Sequence, residues 1–125
     1  MAKEYFEKLR CLLAATIRNL PPGVGVEIKH FFSGAAAYAN GRICISLTTV
    51  GLAMKLPQDG CARLIEDGAR PLRYFPNAPV KRQYVIVPED LHEDEDRLRF
   101  WARTSIDYAL TLPRPKPRRR RKPES

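Results

Sequence analysis

No segment of the 125-residue sequence is apolar for long enough to cross a lipid bilayer. The longest nearly apolar run extends only from Cys11 to Ile17, whereas a membrane-spanning helix needs about 20 consecutive apolar residues. Glu4, Glu7 and Lys8 precede this run at helical spacing, which is not the pattern of a signal peptide. We therefore expect a single-domain cytoplasmic protein with no membrane partner.

Side chains that form disulfides or bind metals are scarce. The three cysteines, Cys11, Cys44 and Cys61, are odd in number and too widely spaced for a disulfide framework or a paired zinc site. The two histidines, His30 and His92, have no partners at metal-binding spacing. We therefore expect free, mostly buried thiols and no metal or cofactor.

Motifs of common catalytic sites are also missing. Ser33 in FFSGA lacks the glycine two residues earlier that a nucleophile elbow requires. Gly23, Gly25 and Gly34 form neither a Walker motif nor a dinucleotide-binding motif. The sequence therefore predicts a protein that is not an enzyme.

Positive charge is abundant, and most of it lies at the C-terminal end. The net charge of the chain is +8, of which residues 1–112 contribute only +2. The segment PRPKPRRRRKPES at 113–125 contains four prolines and no apolar side chain, so we predict a disordered tail that follows a folded domain at 1–112. Its basic residues are Arg114, Lys116, Arg118, Arg119, Arg120, Arg121 and Lys122.

Hydrophobic periodicity predicts the elements of the first half of the chain. Apolar residues at helical spacing indicate a helix over 4–20, which the PPG at 21–23 ends. Alternation then indicates a strand from Val24 to Phe31 or Phe32. Asn40-Gly41 is typical of a type I′ turn between two strands, and a further strand is expected over 52–56.

The second half is predicted to contain a short helix at 57–68, strands at 71–75 and 83–87, and a long helix from Glu89 or Asp94 to Leu112. The predicted order is α-β-β-β-α-β-β-α. It corresponds to an α+β two-layer sandwich, with helices on one face of a five-stranded, mainly antiparallel sheet. An acidic cluster at the start of the last helix could bind a metal, but a helix start with a solvated face is the favoured interpretation. The cluster consists of Asp90, Glu93, Asp94, Glu95 and Asp96.

Three segments carry a family resemblance: FFSGAAAYANGRICISLTTVGLAMKLP, GARPLRYFPNAPVKRQYVIVPEDL and LRFWARTSIDYALTLP. In order and spacing they resemble the N-terminal domain of the TfoX/Sxy family, from about Glu4 to Pro113. The resemblance implies a two-layer sandwich like that of secretion chaperones. Cys44 departs from the family pattern, because many relatives carry an aromatic residue there.

Full-length relatives have a helical C-terminal domain where this sequence has the basic tail, so the resemblance is to the N-terminal domain standing alone. Those relatives are positive regulators of DNA-uptake genes and act with the cyclic-AMP receptor protein. The resemblance therefore implies a competence-regulator-like role in transcription, with a transcription regulator as partner.

Two functions stay open. The first is a non-enzymatic regulatory or adaptor protein that binds nucleic acid through the basic tail, with Arg70, Arg73, Lys81 and Arg82 extending the footprint. The second is a dimeric protein-interaction module with no nucleic-acid role, in which the open sheet face pairs with a second copy. That face is expected to carry Cys44, Ala53, Tyr74 or Phe75, and Tyr84 or Val85, among Arg42, Lys55 and Arg73.

Overall fold

Helices cover one face of an antiparallel sheet in the computed structural model, which describes residues 2–31, 34–72 and 81–113. A short 3-10 helix at Glu89–Glu93 precedes the last α-helix. The elements in chain order are α1 (Ala2–Arg18), β1 (Val26–Phe31), β2 (Gly34–Ala39), β3 (Arg42–Thr48), β4 (Gly51–Lys55), α2 (Gln58–Glu66), β5 (Arg70–Leu72), β6 (Lys81–Ile86) and α3 (Glu95–Leu110). The predicted α+β sandwich is confirmed.

The described sheet has six strands in the order β1-β2-β3-β4-β6-β5, so the predicted count of five is wrong. Four strands, not three, lie between α1 and α2. The sequence of β2 is GAAAYA, with no alternation of polar and apolar residues, and alanine has a low preference for strands. The segment is nevertheless a strand because β1 and β3 pair with it on both sides.

The main hydrophobic core lies between the sheet and the helices. Strand register aligns Ile45, Met54 and Val85 across β3, β4 and β6, and these residues belong to the same buried cluster as Leu13 of α1 and Trp101 of α3. Burial of this apolar surface is the main force that holds the helices on the sheet.

The opposite side of the sheet, called here the second face, is also largely buried at its centre. Successive residues of a strand point to opposite faces, so the aligned row of Ala36, Ser46, Ala53 and Ile86 lies on the second face. The exposed fractions of Ala36, Ser46 and Ala53 are 0%, 2% and 1%. Ala53 and Ile86 form a small second cluster with Leu72. The centre of this face is therefore not the open surface that the sequence predicted.

Two residues predicted for the second face, Cys44 and Arg42, lie on the helix side instead, and of the predicted alternatives Tyr84 and Val85 it is Val85 that lies there. Cys44 is the extra residue of a β-bulge, because Ala37 pairs with Ile45 whereas Tyr38 pairs with Ile43. The bulge turns Cys44 into the helix-side cluster, which also contains Val85. The guanidinium of Arg42 reaches the end of α3.

Of the other residues predicted for the second face, some lie there and the rest belong to a segment that the structure does not describe. Strand alternation puts Ala53, Lys55 and Tyr84 on it. Residues 73–80, with Arg73, Tyr74 and Phe75, lie outside the described residues. None of the described helices is long and apolar enough to cross a membrane.

Candidate functional site

Several chain segments meet at the end of the sheet that carries the Asn40-Gly41 turn, called here the hairpin end. Antiparallel pairing places the end of β2 and the start of β3 there, because Ala39 pairs with Arg42. Lys55 at the end of β4 pairs with Tyr84 near the start of β6. Leu72, the last residue of β5, pairs with Lys81, so the end of β5 also lies here.

The turn itself has the geometry that the sequence predicted. Asn40 and Gly41 have φ angles of 48° and 87°, and a type I′ turn requires positive φ at both central residues. The side-chain oxygen of Asn40 accepts a hydrogen bond from the Gly25 amide at 2.9 Å. Its side-chain amide donates to the Gly23 carbonyl at 3.1 Å. Asn40 thus fixes the loop between α1 and β1 to the hairpin.

Arg42 connects the hairpin end to the end of α3. Its Nε donates a hydrogen bond to the Leu112 carbonyl at 2.8 Å, and its Nη1 donates to the Asn40 carbonyl at 3.3 Å. The last carbonyls of a helix have no partner within the helix, and a cation is favourable beside them. Arg42 therefore holds Leu112 at the hairpin end.

Two lysine-tyrosine pairs lie on the second face. The Nζ of Lys55 is 5.3 Å from the centre of the Tyr84 ring, and the Nζ of Lys29 is 5.2 Å from the centre of the Tyr38 ring. Both distances are typical of cation-π interactions. The long side chain of each lysine covers an aromatic ring while its ammonium group stays near solvent.

The predicted nucleic-acid-binding residues have different placements. Lys81 and Arg82 begin β6 at the hairpin end, but the structure does not describe their side chains. Arg70 is exposed in β5 and pairs with Ile86, away from the hairpin end. Arg73 lies outside the described residues, as do Arg114, Lys116, Arg118, Arg119, Arg120, Arg121 and Lys122.

Sequence reasoning missed the pair of Lys29 and Tyr38. Lys29 pairs with Ala36, so Tyr38 is its diagonal neighbour across β1 and β2. This neighbourhood becomes predictable only when β2 is recognised as a separate strand. Glu27 also lies beside this pair, with its carboxylate 3.9 Å from the Lys29 ammonium.

Thiol groups in the core are poorly suited to nucleophilic chemistry. Burial raises the pKa of Cys44 to about 12 and also raises the pKa of Cys61. A thiolate, which is the reactive form, is therefore strongly disfavoured at Cys44 near neutral pH. Cys11 is exposed, and all three cysteines are free.

The acidic residues at the start of α3 form a helix cap and ion pairs. The Asp94 carboxylate accepts a hydrogen bond from the Arg97 amide at 3.3 Å, which makes Asp94 the N-cap. The Arg97 guanidinium is 3.4 Å from the Asp67 carboxylate, and that of Arg99 is 3.0 Å from the Asp96 carboxylate. Within the described ranges, no group of three or more histidine, cysteine, aspartate or glutamate side chains could hold a metal ion.

Comparison with known proteins identifies the domain by its sequence. A search of curated proteins gave no match to this chain. The family model described as the TfoX N-terminal domain matches residues 19–109, a range that extends from the end of α1 to near the end of α3. The match covers more than half of the 125 residues and includes all six strands. The chain therefore belongs to the TfoX N-terminal domain family.

Proposed function

We propose that the protein is a non-enzymatic regulatory or adaptor module that binds nucleic acid at the hairpin end. The observation that supports this proposal is topological. The end of β4, the start of β6 and the end of α3 lie at the same end of the sheet, and each leads to or contains basic residues. Lys55 lies there, Lys81 and Arg82 begin β6, and seven basic residues follow Pro113.

Ion pairs neutralise part of the positive charge on the helices but not the charge of Lys55 at the hairpin end. Four of the arginines in the helices are paired with carboxylates: Arg10 with Glu7, Arg97 with Asp67, Arg99 with Asp96, and Arg103 with Asp107. Among the described residues, Lys55 has no carboxylate within salt-bridge distance, and its ammonium lies over Tyr84 instead. Lysine and arginine side chains bind nucleic acid by neutralising its phosphates, and the ammonium of Lys55 is available for such a contact.

Binding of this kind involves phosphates more than bases. An arginine-rich segment contacts the phosphate backbone, which carries no direct sequence information. We therefore propose fast, nearly sequence-independent association, with any partner specificity supplied by a second protein such as a transcription regulator, as the family resemblance implies.

Fluorescence anisotropy of a labelled DNA duplex at several salt concentrations tests the proposal. With about five to seven phosphates neutralised, the logarithm of the binding constant should fall against the logarithm of salt with a slope of roughly −5 to −6. Replacing Arg119, Arg120 and Arg121 by serine should reduce that slope by about three, because each phosphate contact contributes about 0.9.

A matched control removes the same number of charges from another part of the domain. The triple substitution of Lys8, Arg10 and Arg99 by serine changes α1 and the first half of α3 and should leave the slope unchanged. Equal losses in the two triple variants would contradict a specific role for the basic segment that follows Pro113. Absence of binding by the parent at low salt would contradict nucleic-acid binding itself and favour the dimeric protein-interaction module.

A further inference from the structure

The two outer edges of the sheet differ in a way that indicates an interaction surface. At one edge, β5 has only three residues and contains Pro71, which has no amide hydrogen to donate. Short strands and prolines are common protections against pairing between molecules. At the other edge, β1 has six residues and no proline. In the described part of the sheet, β1 pairs on one side only.

The strand β1 is also regular and accessible. Its register with β2 runs without a shift from the pair of Val26 and Ala39 to the pair of Phe31 and Gly34, so no bulge bends this edge. The side chains of Glu27 and Lys29 are 72% and 55% exposed. An unpaired edge of this length is a template for another strand.

The sequence of β1 is complementary to itself in one antiparallel register. When two copies of VEIKHF pair around a two-fold axis at Ile28, Glu27 of each copy lies opposite Lys29 of the other. Directly opposed side chains in an antiparallel pair have Cβ atoms about 4.5–5.5 Å apart, close enough for oppositely charged groups to attract. The two Ile28 side chains meet on the helix side, where each is already packed against its own core.

We propose that β1 pairs with β1 of a second copy of this chain, which joins the two sheets into one continuous antiparallel sheet across a two-fold axis. The interface is isologous, so each favourable contact occurs twice. This inference is independent of nucleic-acid binding. It also moves the expected dimer contact from the second face, which is buried at its centre, to the edge of the sheet.

The mixed charges of β1 favour pairing over protection. An edge that is protected by charge alone typically carries lysines, which repel their copies in every register. Glu27 and Lys29 have opposite charges and are two positions apart. The two-fold register therefore places Glu27 of each copy opposite Lys29 of the other, which gives two attractive pairs. The strand pair itself is small compared with the roughly 1,200–2,000 Å² of a standard interface. We expect helix α1, which packs on β1 and β2, to contribute the remaining contact area.

Sedimentation velocity of the full chain in about 0.15 M salt, where long-range repulsion between the basic copies is screened, tests the proposal. The parent should shift from monomer toward dimer as its concentration rises to about 200 µM, the range of a small interface. Glu27→Lys and Lys29→Glu should each raise the dissociation constant about tenfold, because both pairs across the axis become repulsive.

Mixing the two variants gives the decisive result. A chain with two lysines at positions 27 and 29 is complementary to a chain with two glutamates there, so an equimolar mixture should form a heterodimer although each variant alone is largely monomeric. The double variant with both charges exchanged should also dimerise. Both results depend on contacts between molecules and not on the ion pair of Glu27 and Lys29 within one chain.

Two control variants change the same charges elsewhere. Glu66→Lys at the end of α2 and Arg70→Glu in β5 should leave the association of the parent unchanged, and circular dichroism should show that every variant is folded. A parent that stays monomeric at 200 µM, or a mixture of the two charge variants that fails to associate, would overturn the proposal.

Discussion

At the residue scale, the shape of the hairpin end depends on one asparagine. Asn40 adopts positive φ, which asparagine tolerates better than most residues, and its side chain bonds to both Gly23 and Gly25. The sequence predicted the turn because Asn-Gly has a specific backbone requirement. It did not predict the two side-chain bonds, since these depend on where the loop after α1 lies in space.

Asn40→Ala should lower the free energy of unfolding by about 1–3 kcal/mol, because it removes two hydrogen bonds. It also places alanine at positive φ, where its side chain cannot form the local hydrogen bonds by which asparagine tolerates this conformation. Urea unfolding followed by circular dichroism measures this loss. Asn19→Ala is the matched control, since its side chain bonds only to the Ala15 carbonyl one helical turn away. If Asn40→Ala lowers the free energy of unfolding no more than Asn19→Ala, Asn40 does not fix the loop between α1 and β1 to the hairpin.

At the element scale, helices and most strands follow from periodicity, and the exceptions have physical causes. The last helix was expected to begin at Glu89 or Asp94, and both correspond to real starts, because a 3-10 helix begins at Glu89 and Asp94 caps α3. The strand β2 was not separated from its neighbours, since its alanines lie in the interior of the sheet and follow neither period.

The bulge at Cys44 has a similar cause. A single extra residue reverses the side of the sheet on which a side chain lies, and no local sequence pattern marks its position. This explains why Cys44 was expected on the second face and lies in the helix-side core. There, the hydroxyl of Ser105 on α3 donates a hydrogen bond to the Cys44 carbonyl at 3.0 Å.

The contact between α1 and the 3-10 helix should make stability depend on pH. Burial lowers the pKa of His92, and the nearby Lys8 lowers it further, whereas Glu89 and Glu93 act in the opposite direction. With a folded-state pKa below the unfolded value of about 6.5, the unfolded chain binds more protons as the pH falls. The stability that neutral His92 contributes is present above that value and is lost as the pH falls through the folded-state pKa.

Urea unfolding at pH 7 and pH 5 tests whether stability falls with pH as predicted. The parent should lose more unfolding free energy between the two pH values than His92→Gln, which cannot be protonated. His30→Gln is the control for removing a histidine from the surface, since His30 is exposed in β1. Equal pH dependence in the parent and His92→Gln would exclude His92 as the titrating group.

At the scale of the whole molecule, most of the net positive charge lies in the sequence after the described core. The helix-side core includes residues from α1 to α3, whereas the basic residues after Pro113 have no apolar neighbours in the sequence. A folded domain at 1–112 followed by a disordered tail stays a prediction from composition. The meeting of Lys55, the start of β6 and the end of α3 at one end needed the sheet order, which places β6 before β5.

Two truncations should locate the boundary between these parts. A chain that ends at Pro113 keeps the Leu112 carbonyl, which accepts a hydrogen bond from Arg42. It should unfold at the same urea concentration as the full chain, because a segment without apolar side chains adds nothing to a core. A chain that ends at Leu110 loses that acceptor and the half-buried Leu112 side chain. It should be less stable by about 1–2 kcal/mol.

Arg42→Ala in the chain that ends at Pro113 separates the hydrogen bond from the lost side chain. If the bond is the main stabilising contact, this variant should be destabilised about as much as the chain that ends at Leu110, since the hydrogen bond between Arg42 and the Leu112 carbonyl is lost in both. Arg63→Ala is the matched control, because Arg63 is an exposed arginine of α2 that lies 5.7 Å from the Trp101 ring centre, far from the end of α3.

A chain ending at Pro113 that is less stable than the full chain would show that residues 114–125 contribute to the fold, and the domain boundary at 112 would then be wrong.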